Sequence, residues 1–504
     1  MHERGRERKG EQKGLRRAVC ALCLLALVLS ALPLYLMTGY NHPYYDDFGF
    51  SAAPHQVWKE TGDLGAALKA ALENAARTRY TWQGTYTGTL LSNLQPGTFS
   101  EELYWISGCF LLTASLGCFW FFFATVFGRR GLGLKRWETT VVSALTLTVM
   151  LQFMPDMGEA FYWFNGGVGN VFIYSLIALS AALFLRLSRT KSRGGAVGLT
   201  LGLILCMAAL GGGSYSGGLF SLCALACVIA WMFVKRRPRR WVFLLCFGVL
   251  AAGFVYSMSA PGNMVRAGMI GYSCSPVKAI ARSLYEGAIM MTGYVRFPLL
   301  GLTVLVSPLL WRAAKESPYR FRHPLWMIAL SAALFCTQLT PPLYSIASIG
   351  DGRIQDTYWL CFVVLWLLWV YLLLGFAARK WPEAKPERFG RAVVIVGLCL
   401  SLSGCLGCRY PGDTLYGIQN MTGVSAWQSL LNGEAAQYDR EMTERERLLN
   451  DESQPVVTLA PLSAVPRIFM EDELTHGAIY DVRPSLCQYY GKEAIRLAGE
   501  EEAP

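Results

Sequence analysis

The sequence predicts an all-α polytopic membrane protein. Three observations carry that reading: long uninterrupted apolar runs, a shortage of charge, and cations that gather in every second loop. The 504 residues are 53% hydrophobic and only 16% charged, with a mean hydropathy of +0.32. A soluble chain carries nearer a quarter charged residues. A hydrocarbon core about 30 Å thick needs roughly 20 apolar residues per crossing helix. The runs are continuous rather than alternating, which selects helices over barrel strands.

Taken in order, eleven transmembrane helices are expected: Ala18–Leu36, Leu103–Phe127, Thr139–Met154, Val168–Leu185, Ala196–Leu210, Leu219–Val234, Trp241–Met258, Pro298–Trp311, Leu325–Leu339, Tyr358–Phe376 and Ala392–Cys408. They divide the chain into a basic N-terminus (1–17), a transmembrane domain (18–408) and a C-terminal segment (409–504). Orientation follows from the cations. Residues 1–17 are rich in Lys and Arg, and alternate loops carry Arg129 to Arg136, Arg186 to Arg193, Lys235 to Arg240, Arg312 to Arg322 and Arg379 to Arg391. The intervening loops Pro155–Gly167 and Gly211–Gly218 have none. By the positive-inside rule the N-terminus is cytoplasmic and, with eleven spans, the C-terminus extracytoplasmic. The net charge of +11 is therefore accounted for by topology and calls for no nucleic-acid partner.

The basic start followed by an apolar run imitates a signal peptide, but no small-residue cleavage motif follows it; it reads as an uncleaved first span. Leu402-Ser403-Gly404-Cys405 resembles a lipoprotein box yet lies in the eleventh span. Most of the 15 cysteines fall within spans, where thiols behave as small hydrophobes. Cys405 and Cys408 lack a second pair or a nearby His and make a poor zinc site.

The first outer loop (37–102) opens with YYDDFGFS, an acid pair among aromatics at a membrane boundary. Its Leu64, Ala67, Leu68, Ala71 and Leu72 recur at helical spacing. In the loop after the seventh span, Lys278, Arg282 and Glu286 fall four apart, which suits an interfacial helix. The outward segments hold Asp46 and Asp47; Asp156, Glu159 and Trp163 in PDMGEAFYW; Arg266 in APGNMVR; and Asp351, Arg353 and Asp356 in GDGRIQD. Glu159 and Asp156 share a loop without a cation, so a partner from another loop is expected, Arg266 and Arg353 being the candidates. The C-terminal segment suggests a Glu/Arg-rich helix over Ser425–Leu449 and a strand in Pro455–Leu462, packing on the membrane domain.

Acids and arginines at a membrane surface suit transfer of a sugar from a polyprenyl phosphate. The leaving phosphate is a stable anion and needs cations, for which guanidinium forks fit. The acceptor hydroxyl needs a carboxylate base in reach. A glycosidase needs two carboxyls flanking one bond, and neighbouring Asp46 and Asp47 point apart in extended chain. One of them is expected to face the site and the other to anchor the loop or a metal ion.

With these motifs the chain resembles the GT-C superfamily of integral-membrane glycosyltransferases, and is most similar to an uncharacterised bacterial branch of multi-spanning proteins. The likeness rests on a cytoplasmic N-terminus, one span and a long outer loop opening with YYDDFGFS, then EAFYW, APGNMVR and GDGRIQD. It implies a catalytic Asp46 or Asp47, base or metal duties for Asp156 or Glu159, and donor-phosphate contacts from Arg266 and Arg353. The divalent ion an acid pair would take is Mg²⁺ or Mn²⁺. The implied partners are a polyprenyl-phosphate-linked sugar donor, membrane lipid, and a glycan, lipid or protein acceptor of the cell envelope. The resemblance would place a basic residue after Trp-x-Gly in the first loop. TWQGTY has Thr85 there, leaving Arg77 or Arg79. The rival classes are a lipid-linked polysaccharide polymerase or ligase, a flippase, which would carry ionisable groups within its spans, and a glycolipid-binding protein without turnover.

Overall fold

The computed structural model describes residues 2–384, 390–406, 408–409, 415–416, 418–475 and 481–499. Among them, nine helical stretches are long and apolar enough to cross a membrane: Glu11–Tyr40, Glu101–Val126, Phe164–Arg189, Arg193–Gly211, Tyr215–Val234, Arg240–Met258, Phe297–Glu316, Pro324–Ile346 and Gly352–Lys380. The architecture is all-α and polytopic. The other two expected spans fall on helices Arg136–Gln152 and Gly390–Leu406, each of 17 residues, at the short end of what a bilayer accepts.

The long helices pack in sequence-distant pairs: His2–Met37 lies on Arg136–Gln152, Trp105–Val126 on Val171–Arg189, and Phe297–Glu316 on both Gly390–Leu406 and Gly352–Lys380. Small residues set the closest approach in the pair formed with Gly390–Leu406. A Cβ on Gly301 would come 2.2 Å from Ser401 Oγ, so the backbones meet there as apolar helices do when lipid gives them no hydrophobic drive to associate. Between Arg136–Gln152 and Phe297–Glu316, buried Glu138 takes Nε and Nη2 of Arg312 and also accepts the Lys135 N–H at 2.7 Å. Glu138 therefore satisfies a helix end and a guanidinium together.

The first loop is mostly helix: Asp46–Thr61, Leu64–Thr81 and Tyr86–Asn93. The periodic leucines of the second helix are exposed while Ala67 and Ala71 are buried, because it packs on Asp46–Thr61 through its alanines. Pro276–Tyr294 is a helix of its own, ending before Phe297–Glu316 begins, with Arg282 and Glu286 paired at 3.2 Å.

The C-terminal segment departs from expectation in two ways. The single helix expected over 425–449 is two, Thr422–Leu431 and Glu434–Leu449, because Gly433 adopts φ +83° between them. The expected strand, Val456–Leu459, pairs in parallel with Ala494–Leu497 across the helix Arg483–Tyr490; with a two-residue ladder at Cys408–Arg409 these strands are small insertions in an α-fold.

This segment does not lie loosely on the surface. Pro33 sits inside the first helix and cannot donate to the carbonyl of Leu29; Trp427 Nε1 donates to that oxygen instead, at 3.3 Å. Thr422 Oγ1 donates to Leu151 O at 2.6 Å. Further along, Phe48 and Ala52 of the first loop enter one apolar cluster with Leu449, Val457, Leu459, Leu486 and Tyr489. Burying Phe48 alone contributes about 1.5–3 kcal/mol. His42 is held between Glu446 at 2.6 Å and Asp439 at 3.1 Å. The helix that begins with the acid pair is thus backed along its length by the C-terminal segment.

Candidate active site

Segments that the sequence assigns to one side of the membrane converge on a single cavity of about 1710 Å³. Asp46, Asp156, Glu159, Trp163, Arg266 and Arg353 all line it, and Arg467 and Glu471 of the C-terminal segment line its wall as well. Of the residues expected in the site, Asp47 alone is not among the lining.

Asp46 and Asp47 occupy the first turn of Asp46–Thr61, where the helix dipole favours acids. The residue before them, Tyr45, has φ +50°, a left-handed conformation that costs a non-glycine residue of order 1–3 kcal/mol. The cost is offset by fixation: the Tyr45 N–H donates to Glu473 Oε2 at 2.6 Å, and its ring stacks on Tyr44 and meets Trp163 edge-on. Consecutive helical residues are rotated about 100° from each other, so the two carboxylates part even though they begin a helix rather than an extended strand. Asp46 faces the cavity and accepts from Asn165 Nδ2 at 3.3 Å. Asp47 is fully buried and accepts from the Asn165 N–H at 3.0 Å, the Tyr44 N–H at 3.3 Å and the Tyr104 hydroxyl. Asn165 therefore touches both acids, one through its side chain and one through its backbone.

The charges follow from these surroundings. Burial pushes Asp47 up to about 7 despite its three donors. Burial also raises Asp46, opposed by the charges of Arg353 and Arg266 and by the Asn165 amide. Asp46 is thus a carboxylate with a raised proton affinity in the field of two guanidinium groups.

The second loop and GDGRIQD build the opposite wall. Glu159 accepts the Arg353 backbone N–H at 2.6 Å and pairs with its Nη1 at 3.0 Å. Arg353 also meets Asp351 at 3.1 Å and lies over the Trp163 ring, 5.0 Å from its centroid. Of the two expected partners for the acid loop, Arg353 is the one that pairs. Asp156 accepts the Glu159 N–H at 3.0 Å and donates its own N–H to Asp356 Oδ1 at 2.8 Å. Burial raises Glu159 and Asp156, with the Arg353 charge opposing in both. Gly352 permits this packing, since a Cβ there would stand 2.4 Å from Asp156 Oδ2. Arg266 belongs to a third group: its Nη1 donates to Gln83 Oε1 at 2.6 Å and its guanidinium lies 5.0 Å from the Trp82 ring centroid. Trp163, Tyr44 and Tyr45 line the cavity, and Trp163 is only 5% exposed, so these rings face the site rather than a lipid belt.

Thr85 is buried. Of the two first-loop arginines considered in its place, Arg79 packs 4.2 Å over Tyr256 and donates to Ser259 Oγ, and Arg77 donates to Asn74 Oδ1 at 2.6 Å. Neither lines the large cavity. The acids of the site are distributed over separate partners; among the described residues no group of three or more His, Cys, Asp or Glu side chains converges to hold a metal ion. Mg²⁺ or Mn²⁺ would therefore depend on phosphate oxygens and water for most of its ligands.

Three site residues escaped the sequence reading. Asn165 stands in FNGG directly after EAFYW, the one local signal that could have drawn attention to it. Gln83 is the middle residue of Trp-x-Gly in TWQGTY but carries no charge to mark it; Arg467 shows no motif, reaches the cavity from the far end of the chain and donates to Asn420 Oδ1. No protein-family model matches the chain, and no curated protein matches it.

Proposed function

We propose that this protein is a membrane glycosyltransferase that moves a sugar from a polyprenyl-phosphate donor to a cell-envelope acceptor at the extracytoplasmic face of the plasma membrane. In this reading all eleven apolar helices cross, the N-terminus is cytoplasmic and the 409–504 segment lies outside. One observation carries the chemistry: Asp46 presents its carboxylate to a large cavity under the charge of Arg353 and Arg266.

Asp46 takes the proton of an acceptor hydroxyl. That oxygen forms a bond to the anomeric carbon as the bond from this carbon to the phosphate oxygen breaks. The polyprenyl phosphate leaves as an anion and needs no proton, only cations, which Arg266 and Arg353 supply. Burial raises the proton affinity of Asp46, the direction that strengthens a carboxylate base. Glu159 holds Arg353 in place and Asp156 fixes the Glu159 loop, so both act through another residue. Asp47 anchors the turn that aims Asp46. Trp163, with Arg353 over its ring, and the neighbouring Tyr44 and Tyr45 line the cavity, where their edges can contact a sugar ring.

The test is transfer in reconstituted membranes with a panel of polyprenyl-phosphate sugars. The expected result is turnover by wild type and none by a folded Asp46→Asn variant. Turnover unchanged in Asp46→Asn refutes the assignment. Donor binding without turnover in wild type moves the reading to a polymerase, flippase or binding protein.

A further inference from the structure

Asp46 borders two cavities. A second one, of about 380 Å³, lies across the wall made by Asp46, Phe50 and Trp82. Its other side is built by the helix Leu64–Thr81 and presents Asn74, Arg77, Thr78 and Thr81. Their hydrogen bonds leave a defined set of groups for a ligand. Thr78 Oγ1 donates to Asn74 O and Thr81 Oγ1 to Arg77 O, so both hydroxyl oxygens keep lone pairs for accepting. Arg77 spends one N–H on Asn74 out of five. Asn74 is itself fixed by donating to Phe50 O at 3.1 Å and Asn93 Oδ1 at 2.7 Å.

This combination of mixed donors and acceptors with two aromatic rings is suited to a hydroxylated ring. A lipid chain would need an apolar channel, whereas this pocket sets amide, guanidinium and hydroxyl groups beside its two rings. The size is that of a small-ligand pocket at its lower limit, enough for a sugar or two and far below the large cavity.

We infer that this pocket binds carbohydrate, and that it holds the acceptor sugar with a hydroxyl directed at Asp46 while the lipid-linked donor fills the large cavity on the other side. The naming of the ligand as acceptor rests on the transferase reading; the binding of sugar to this pocket does not. The acceptor is then a glycan, not a protein or a bare lipid.

The experiment uses the full chain in lipid nanodiscs and saturation-transfer NMR with glucose, galactose, mannose, N-acetylglucosamine and glucuronate. Thr81→Trp, at an exposed position, fills the pocket; Arg77→Ala removes its donors; Arg353→Ala alters the large cavity and leaves every side chain of the pocket lining in place. At least one sugar is expected to give a signal that falls to the empty-nanodisc level in Thr81→Trp, weakens about ten-fold or more in affinity in Arg77→Ala, and persists in Arg353→Ala. Thermal unfolding of each variant accompanies the titration, and Arg77→Ala decides the matter where Thr81→Trp fails to fold. No sugar signal in wild type, or one that survives both pocket variants, overturns the inference. Donor turnover measured in the same nanodiscs is a separate readout: its absence refutes the transferase reading while the binding result still stands or falls alone.

Discussion

Removal of the buried acid gives the sharpest test of how the first loop is held. In Asp47→Ala three donors lose their acceptor: the N–H groups of Asn165 and Tyr44 and the Tyr104 hydroxyl. An unsatisfied buried donor costs about 1–3 kcal/mol. The Tyr44 bond is long at 3.3 Å, and Tyr104 retains Tyr162 O at 3.4 Å. The net loss is therefore about 2–4 kcal/mol where Asp47 is neutral. The pH dependence has a definite sign. The folded-state value is raised from 3.8 to about 7, so folding favours the protonated form. That contribution is fully present below the unfolded value and is lost as pH rises through 7. The gap between wild type and Asp47→Ala should narrow by about 3 kcal/mol from pH 5 to pH 8. Equilibrium unfolding in bicelles at the two pH values measures it. A gap that stays constant or widens from pH 5 to pH 8 refutes the burial argument.

The other expectations are separate in readout. Asp46→Asn should lower kcat by about 10²–10⁴ at wild-type stability. The acid limb of the wild-type pH–rate profile should lie above the ordinary carboxylate value of 3.8, as the raised Asp46 requires. Arg353→Lys keeps the charge but loses the fork to Glu159 and Asp351 and the face of Trp163; kcat/KM for the donor should fall about 10- to 100-fold, seen in steady-state kinetics. Burial works against charge on His42, but Asp439 and Glu446 outweigh it and push the ring up to about 9. Its contribution is full below 6.5 and lost as pH rises through 9, up to about 3 kcal/mol. A thermal-stability profile that declines over that window in wild type and stays flat in His42→Gln is the expected result, and parallel profiles would refute it.

The fold was legible because bilayer physics is coarse. A run of about 20 apolar residues has one economical conformation, and each run named from composition alone falls mainly on helix among the described residues. The bounds were less so: Gly390–Leu406 stops at 17 residues, and the break at Gly433 was hidden inside a periodic Glu/Arg stretch because a single glycine does not interrupt the period. In the site, charged groups could be enumerated, since acids and arginines at span ends are few, and five of the six expected there line one cavity. Which acid faced it could not be read. Asp46 and Asp47 are chemically identical, and the choice is made by Tyr45 at positive φ and by Asn165, more than a hundred residues away. Neutral amides such as Asn165 and Gln83 carry no charge signature and become visible only through contact.

That contact explains why an acid pair, rather than a single acid, stands in YYDDFGFS. The proposed base must be aimed, and a side chain at the edge of a large cavity cannot aim itself. Asp47 supplies the fixed point: three donors close on it in the interior, and one of them is the backbone of Asn165, whose side chain then reaches Asp46. The opposite side of the same turn is tied to the C-terminal segment by Glu473 on the Tyr45 N–H and by the Phe48 cluster. An error in either anchor moves Asp46 relative to Arg353 and Arg266, and a displacement of about 1 Å is enough to cost on the order of 10²-fold in rate. In the proposed reaction the C-terminal segment would act through position: Glu473 on the Tyr45 N–H and the cluster around Phe48 hold the turn from which Asp46 projects.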